Sequence, residues 1–488
     1  MGVGAGVGAG VVPVAVVLAL ALVSAACSGG GSNHALVRQS GTTSSSGPTS
    51  TTTATTAAPP AAPAGAAPKP GCPPVPTRAA PDPNRPRYTL TVNVDLPSNI
   101  VSGNVSVRFI PDMATDRLVF RLWPNGPTQA GAGTHIDVGN VTVGGASAPT
   151  NYANATTLVI PGTYAAGQPV DIAMNWRLVL PGAVNDRIAR IGDAVRLGSF
   201  FPILPWESGV GWDTDPPTTQ FAEASTAPTA DFDVSVTTSP PDLGVLASGV
   251  PDRPGHWTAT AVRDFAMSTG RFAIATAVAH VPDPVAVTVG ASAGTGVAPA
   301  QFAAKAVNVL QTHSARFGPY AWSTYTLAIT PNLSGGIEYP TFVMQGPSTI
   351  GRTTSHELGH EWFYSLVGND QGRDPWLDEG MATYAEGRYE GTIGGMRTAA
   401  IPPGAAGHLG EAMPYWGGVS RSLYNQGVYI QGAKALATLG DLDLVDCALG
   451  VYVARNAYRI ARPADLIASL STVFPQAAPT LASFGAHP

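Results

Sequence analysis

The sequence predicts an α+β, multidomain protein in which an N-terminal antiparallel β-sandwich-like domain precedes a mixed domain that is mostly helical at its C-terminal end. Three observations carry this reading: a period-two alternation of apolar residues in the first half, a change to helical spacing near residue 300, and a His-Glu-Leu-Gly-His string at 356–360 on the helical side. At 488 residues the chain exceeds the usual size of a single domain, so two folded domains plus tails are expected.

The β domain is placed at residues 87–278. Tyr88, Leu90, Val92, Val94 and Leu96 alternate with Thr89, Thr91, Asn93 and Asp95, the signature of a half-buried strand. Val105, Val107 and Phe109 repeat the pattern, as do Leu118, Phe120 and Leu122, and later Phe232, Val234 and Val236. Glycine, proline and asparagine clusters separate them. In the second domain, 279–488, Tyr325, Leu327 and Ile329 mark a strand, while Phe302, Ala306, Val309 and Leu310 share one helical face. Thr353, Thr354 and Ser355 are candidate N-caps for the segment that follows, residues 376–388 fit another helix, and the last 65 residues read as helical.

The N-terminal end has a different character. Residues 1–26 carry no charge, and the apolar run Val11 to Val23 ends in Ser24-Ala25-Ala26-Cys27. Residues 1–27 therefore read as a bacterial lipoprotein-type signal with Cys27 lipidated, although Ser24 stands where a lipobox carries Leu, Val or Ile. A bilayer-spanning signal anchor is the alternative, weakened by Gly2, Gly4, Gly6, Gly8 and Gly10. Both readings put the rest of the chain outside the cytoplasm, held at the membrane surface. Residues 28–86, rich in Ser, Thr, Pro and Ala, read as a disordered tether. With Cys27 lipidated, Cys72 and Cys447 are left to pair or to stay free. A net charge of −6 from 26 basic and 32 acidic side chains, without long runs, excludes a nucleic-acid partner.

The chemistry concentrates at residues 335–430. His356 and His360, four residues apart on a helix, share one face and can hold one ion while Glu357 stands beside it. Glu379 follows His360 by 19 residues within Trp376-Leu377-Asp378-Glu379-Gly380. Two histidines and one glutamate make a Zn²⁺ set that leaves a fourth position for water, the arrangement of a catalytic rather than a structural site. Gly335-Gly336-Ile337-Glu338-Tyr339-Pro340 places Glu338 19 residues before Glu357, and Tyr429-Ile430-Gln431-Gly432-Ala433 begins 50 residues after Glu379.

These pieces, in this order, with Phe317-Gly318-Pro319-Tyr320 and the strings His356 to Phe363 and Trp376 to Glu386, resemble the gluzincin zinc aminopeptidases typified by aminopeptidase N. The resemblance covers about residues 87–488 and implies a thermolysin-like metallopeptidase domain after the β domain. It implies one zinc ion on His356, His360 and Glu379, Glu357 as general base, and Tyr429 as the hydroxyl facing the oxyanion, with Tyr424 as rival. Glu338 matches the glutamate of the exopeptidase motif that holds the substrate α-ammonium, although Ile337 and Tyr339 replace its Met and Asn. Gly335 and Gly336 would offer backbone to an extended peptide with a free N-terminus. Glu386, two helical turns after Glu379, would orient a zinc-ligating histidine; Asp378, adjacent to a ligand, is the weaker candidate. Larger members continue into a long helical-repeat domain, so a more open cleft is expected here.

Two other readings use the same residues: a zinc endopeptidase, in which Glu338 reads no free amine, and a non-catalytic peptide-binding lipoprotein that retains the fold. The intact Glu357 weighs against the second. His34, His135, His256, His280, His313, His408 and His487 lack ligand spacing and are read as structural or solvated. Trp206-Glu207 gives a weak hint of a β-domain contribution to the substrate site.

Overall fold

The computed structural model describes residues 70–219 and 226–488. The expected signal segment, Cys27 and the tether up to residue 69 lie outside the described residues. Among the described residues no helix is long and apolar enough to cross a membrane.

The first alternating segment forms the strand Arg87–Asp95, with Tyr88, Leu90, Val92 and Val94 buried and Thr89, Thr91 and Asn93 exposed. It lies within an eight-stranded sheet ordered 250–253, 256–262, 230–239, 87–95, 100–109, 170–179, 135–143 and 146–147. A three-stranded sheet (115–121, 157–164, 151–154) and a four-stranded sheet (244–247, 267–270, 194–197, 188–191) share its apolar core through Leu118, Phe120, Leu158, Val195 and Leu197. One pairing departs from the antiparallel pattern: Arg87–Asp95 and Ala230–Ser239 run parallel, from Arg87 opposite Asp231 to Asp95 opposite Ser239. Alternation fixes which face of a strand is buried, not the direction of its neighbour, and the long excursion between these two strands is ample for a crossover.

The second half is built on a five-stranded sheet ordered Phe272–His280, Pro284–Ser292, Thr324–Ile329, Phe342–Gln345 and Gly336–Tyr339. The junction expected at 278/279 falls inside its first strand. The helix Pro299–Phe317 packs on this sheet; Pro299 occupies a first-turn position where the missing N–H is tolerated. Phe302, Ala306, Val309, Leu310, His313 and Phe317 form its buried stripe, and Gly318 closes it. His313 reaches the Ser355 carbonyl at 3.3 Å, and burial pushes its pKa down to about 3, so this histidine is a neutral structural link. From Arg352 onward the chain is mostly helical, and the expected helix at 376–388 spans Trp376–Glu390.

Residues 70–86 differ from the expected tether, because they are fixed to the second half. Cys72 is disulfide-bonded to Cys447 on the helix Leu442–Asn456. The Ala79 N–H donates to the Ala454 carbonyl at 2.8 Å, and the Arg78 guanidinium donates to the Pro319 carbonyl. Proline-rich composition conceals such docking: extended segments with few N–H donors need no strand ladder, so the same residues suit a tether or a surface strap. Cys447→Ser is expected to cost about 2–4 kcal/mol in urea unfolding, because the bridge closes a loop across almost the whole fold; an unchanged midpoint would show that the strap contributes no stability.

Candidate metal centre and substrate cleft

The His-Glu-x-x-His helix runs Arg352–Gly359 and starts before the expected caps. Thr353, Thr354 and Ser355 are first-turn residues: Ser355 Oγ donates to the Arg352 carbonyl at 2.9 Å and to Glu390 at 2.6 Å, while Thr354 Oγ1 accepts from Gln345 at 2.9 Å. His356 and His360 emerge one turn apart, and beyond His360 the chain leaves helical geometry at Phe363 and Tyr364. Facing them, the helix Trp376–Glu390 supplies Glu379 from its first turn.

The three expected ligands converge. His356 Nε2 lies 3.1 Å from Glu379 Oε2 and 3.1 Å from His360 Nε2, and His360 Nε2 is 3.5 Å from Glu379 Oε2. Donors about 2.0–2.1 Å from a tetrahedral zinc stand about 3.3 Å apart, so the set fits that ion without rearrangement. Burial alone would lower the His356 pKa, but the Glu379 and Glu386 carboxylates push it up to about 10; the histidines in turn hold Glu379 below the usual carboxylate range. Zinc bound there would displace protons from the ligating nitrogens, since imidazole ligates in its neutral form.

Behind the ligands stand two further carboxylates. Glu386 Oε2 is 3.4 Å from His356 Nδ1 and is itself held by Arg352. Asp378, ranked lower from sequence, makes the closer contact: its Oδ1 is 2.5 Å from His360 Nδ1, and its Oδ2 accepts from Gln371 Nε2 at 2.5 Å. A side chain adjacent to a ligand leaves the helix on a different face, and here that face meets the second imidazole. The two imidazoles turn their Nδ1 atoms to different sides, so one helix serves His360 with Asp378 and His356 with Glu386. Asp378→Asn is expected to weaken zinc affinity by about 10–100-fold, measured by chelator competition; an unchanged affinity would reduce Asp378 to a packing role.

Glu357 is 4% exposed, and burial raises its pKa to about 7 against the pull of His356 and His360. Its place depends on Gly336: a Cβ there would lie 2.3 Å from Glu357 Cδ. Glu338, two residues on along the strand Gly336–Tyr339, is 5% exposed and lies within 4.8 Å of a ring nitrogen of His360 and a carboxylate oxygen of Asp378. Burial takes its pKa up to about 8, opposed by His360. Glu338 Oε1 and Glu357 Oε2 are both buried without a hydrogen-bond partner among the described residues. Buried carboxylate oxygens left in that state point to a ligand that completes them.

Tyr429 lies against the same centre. Its ring stacks on His356 with centroids 5.7 Å apart and planes at 14°, and its hydroxyl faces Glu379. Gly380 and Gly432 allow this approach, since a Cβ on Gly432 would lie 2.7 Å from Gly380 Cα. Tyr424 packs edge-on behind Tyr429 at 5.6 Å and is fully buried, so Tyr429 is the hydroxyl that reaches the cleft.

A cavity of about 240 Å³ runs past these groups, lined by Gly335, Gly336, Glu338, Glu379 and Tyr429 from the second half. Gln129, Asn185, Arg187 and Ser199 line it from the first half. Trp206 and Glu207 do not line it: Trp206 donates to Asp112 at 2.8 Å and Glu207 pairs with Arg462, both away from the cleft. The first-half lining residues carry no motif, and only tertiary structure brings them here. The outer strand position of Gly336–Tyr339 leaves one backbone edge unpaired for an extended chain, although the Gly335 carbonyl already accepts from Gly346.

No protein-family model matches the chain. Over 87 residues, 16% of its length, the chain is 38% identical to human aminopeptidase B. Over 86 residues, again 16%, it is 37% identical to leukotriene A-4 hydrolase of Xenopus laevis. Over 85 residues it is 38% identical to leucine aminopeptidase 2 of Aspergillus niger. These stretches cover only 13%, 14% and 14% of the relatives' own lengths. The fold is shared much more widely. An M1 zinc metallopeptidase from Deinococcus radiodurans superimposes with a TM-score of 0.60 at 20% identity, over 83% of this chain and 95% of that one. A mutant of that enzyme bound to a Tyr-Ser-Ala substrate gives 0.61 at 19% identity, with the same coverage. The chain thus has the two-domain fold of M1 zinc metallopeptidases.

Proposed function

We propose that the chain is a zinc-dependent aminopeptidase of the gluzincin M1 family, which removes N-terminal residues from peptides. The observation that carries this reading is the closeness of Glu338 to the metal-ligand set: its carboxylate lies within 4.8 Å of a ring nitrogen of His360. A carboxylate there holds an α-ammonium only if the carbonyl facing the metal centre belongs to the same, first residue, because those atoms are two bonds apart. That geometry measures one residue from the N-terminus.

When bound by His356, His360 and Glu379, zinc supplies Lewis acidity and a nucleophilic water at neutral pH. Glu357 accepts the proton of the attacking water and returns it to the leaving amine. Tyr429 donates a hydrogen bond to the carbonyl oxygen as charge builds there. Burial and the Glu379 charge hold the Tyr429 pKa well above the usual value, so it remains a donor at neutral pH. Glu338 binds the α-ammonium, and the outer edge of Gly336 pairs with the peptide backbone.

The protein would act outside the cytoplasm, tethered to the membrane surface through lipid on Cys27 or a signal anchor. The Cys72–Cys447 disulfide supports an oxidising compartment. The activity is tested with zinc-loaded full-length protein on aminoacyl amides carrying free or acetylated amines. Turnover of the free-amine substrates alone is expected; equal turnover of both would transfer the proposal to an endopeptidase.

A further inference from the structure

We propose that Tyr339 is a positioning residue that sets the depth of Glu338 in the cleft through a hydrogen-bond chain into the β-rich half; this rests on the aminopeptidase reading. Neighbouring residues on a strand point to opposite faces, so Glu338 faces the cleft while Tyr339 turns away from it. The Tyr339 ring is fully buried among Leu246, Ala266, Phe342 and Met344. Its hydroxyl end fills the space that a side chain at Gly198 would take, since a Cβ there would lie 2.1 Å from the Tyr339 oxygen.

That hydroxyl belongs to a directional chain. Arg187 Nη1 donates to the Tyr339 oxygen at 3.3 Å, the Tyr339 and Ser199 hydroxyls lie 3.3 Å apart, and Ser199 donates to the buried Asp264 Oδ2 at 3.3 Å, which leaves the tyrosine as donor to the serine. Ser199 holds a φ of +48°, a left-handed conformation that a non-glycine residue keeps only where its surroundings enforce it. Strain of this kind concentrates at functional sites, and here it aims the serine hydroxyl between Tyr339 and Asp264.

The mechanical need is clear from the sheet. The strand Gly336–Tyr339 is an outer strand that pairs on one side only, with Phe342–Gln345. It nevertheless carries two groups whose placement must be accurate, Gly336 over Glu357 and Glu338 beside His360. Tyr339 pins its end across the two halves. The tyrosine is therefore a second anchor for the substrate amine, acting through Glu338 without touching the substrate.

The test compares two inhibitors of zinc-loaded full-length protein: an amino-acid hydroxamate and its analogue lacking the α-amine. Wild type is expected to bind the amine-bearing compound more tightly. Tyr339→Phe keeps the ring and should weaken that compound by about 3–10-fold, the worth of one hydrogen bond, while leaving the analogue and zinc content unchanged. Ser199→Gly, which suits the positive φ, should act in the same direction. Equal shifts for both compounds, or no shift for either, would overturn the role of Tyr339. Equal binding of the two compounds by wild type would instead remove the amine-recognition reading on which it rests.

Discussion

Glu357→Gln is expected to lower kcat by about 10²–10⁴-fold while leaving zinc content and KM within a factor of two or so. The substitution preserves volume beside Gly336, where there is no room for an added methyl group, and it removes only the proton acceptor. A buried glutamate with one unpartnered oxygen is suited to that role, because desolvation raises its pKa toward neutrality and strengthens it as a base. The sign of the pH dependence follows. The base works deprotonated, so kcat falls as pH drops through the Glu357 pKa. Burial places that pKa at about 7 in the metal-free protein, and a bound dication moves it lower. The acid limb should therefore lie below pH 7 and be missing from the residual activity of Glu357→Gln. Initial rates across pH with metal content measured in parallel check this; full activity in the variant would assign the proton transfer to another group.

Tyr429→Phe carries the second large effect, a loss of about 10²–10³-fold in kcat with substrate binding nearly intact. Phenylalanine keeps the stack on His356, so the metal set is undisturbed and the lost group is the hydroxyl donor alone. Tyr424→Phe is the matched control. Its ring lies behind Tyr429 and does not line the cleft, so a loss under tenfold is expected. The reverse ranking would exchange the roles of the two tyrosines.

Much of this site was legible in the chain because its information is local. The spacing of His356 and His360 defines a helical face by itself, and the Glu379 helix carries its own sequence string. The strand Arg87–Asp95 was equally readable, since alternation maps onto burial residue by residue. Less legible was everything that depends on which segments meet. The parallel partner of that strand, the docking of residues 70–86 and the contributions of Gln129, Asn185 and Ser199 to the cleft are set by long-range packing that leaves no periodic trace. Asp378 shows an intermediate case: its position was in plain view, but its role depends on how the two imidazoles are rotated. In the sequence Tyr339 is only a departure from a motif, and its structural meaning comes from Gly198 and Ser199 around its hydroxyl.

The most direct measurement is a mass-spectrometric time course of a ten-residue peptide with a free N-terminus, incubated with the zinc-loaded full-length protein. Stepwise loss of single residues from the N-terminal end, abolished by chelation and restored by added zinc, is the result expected from Glu338 beside the metal centre. Internal fragments from the earliest times, formed equally from the N-acetylated peptide, would contradict it.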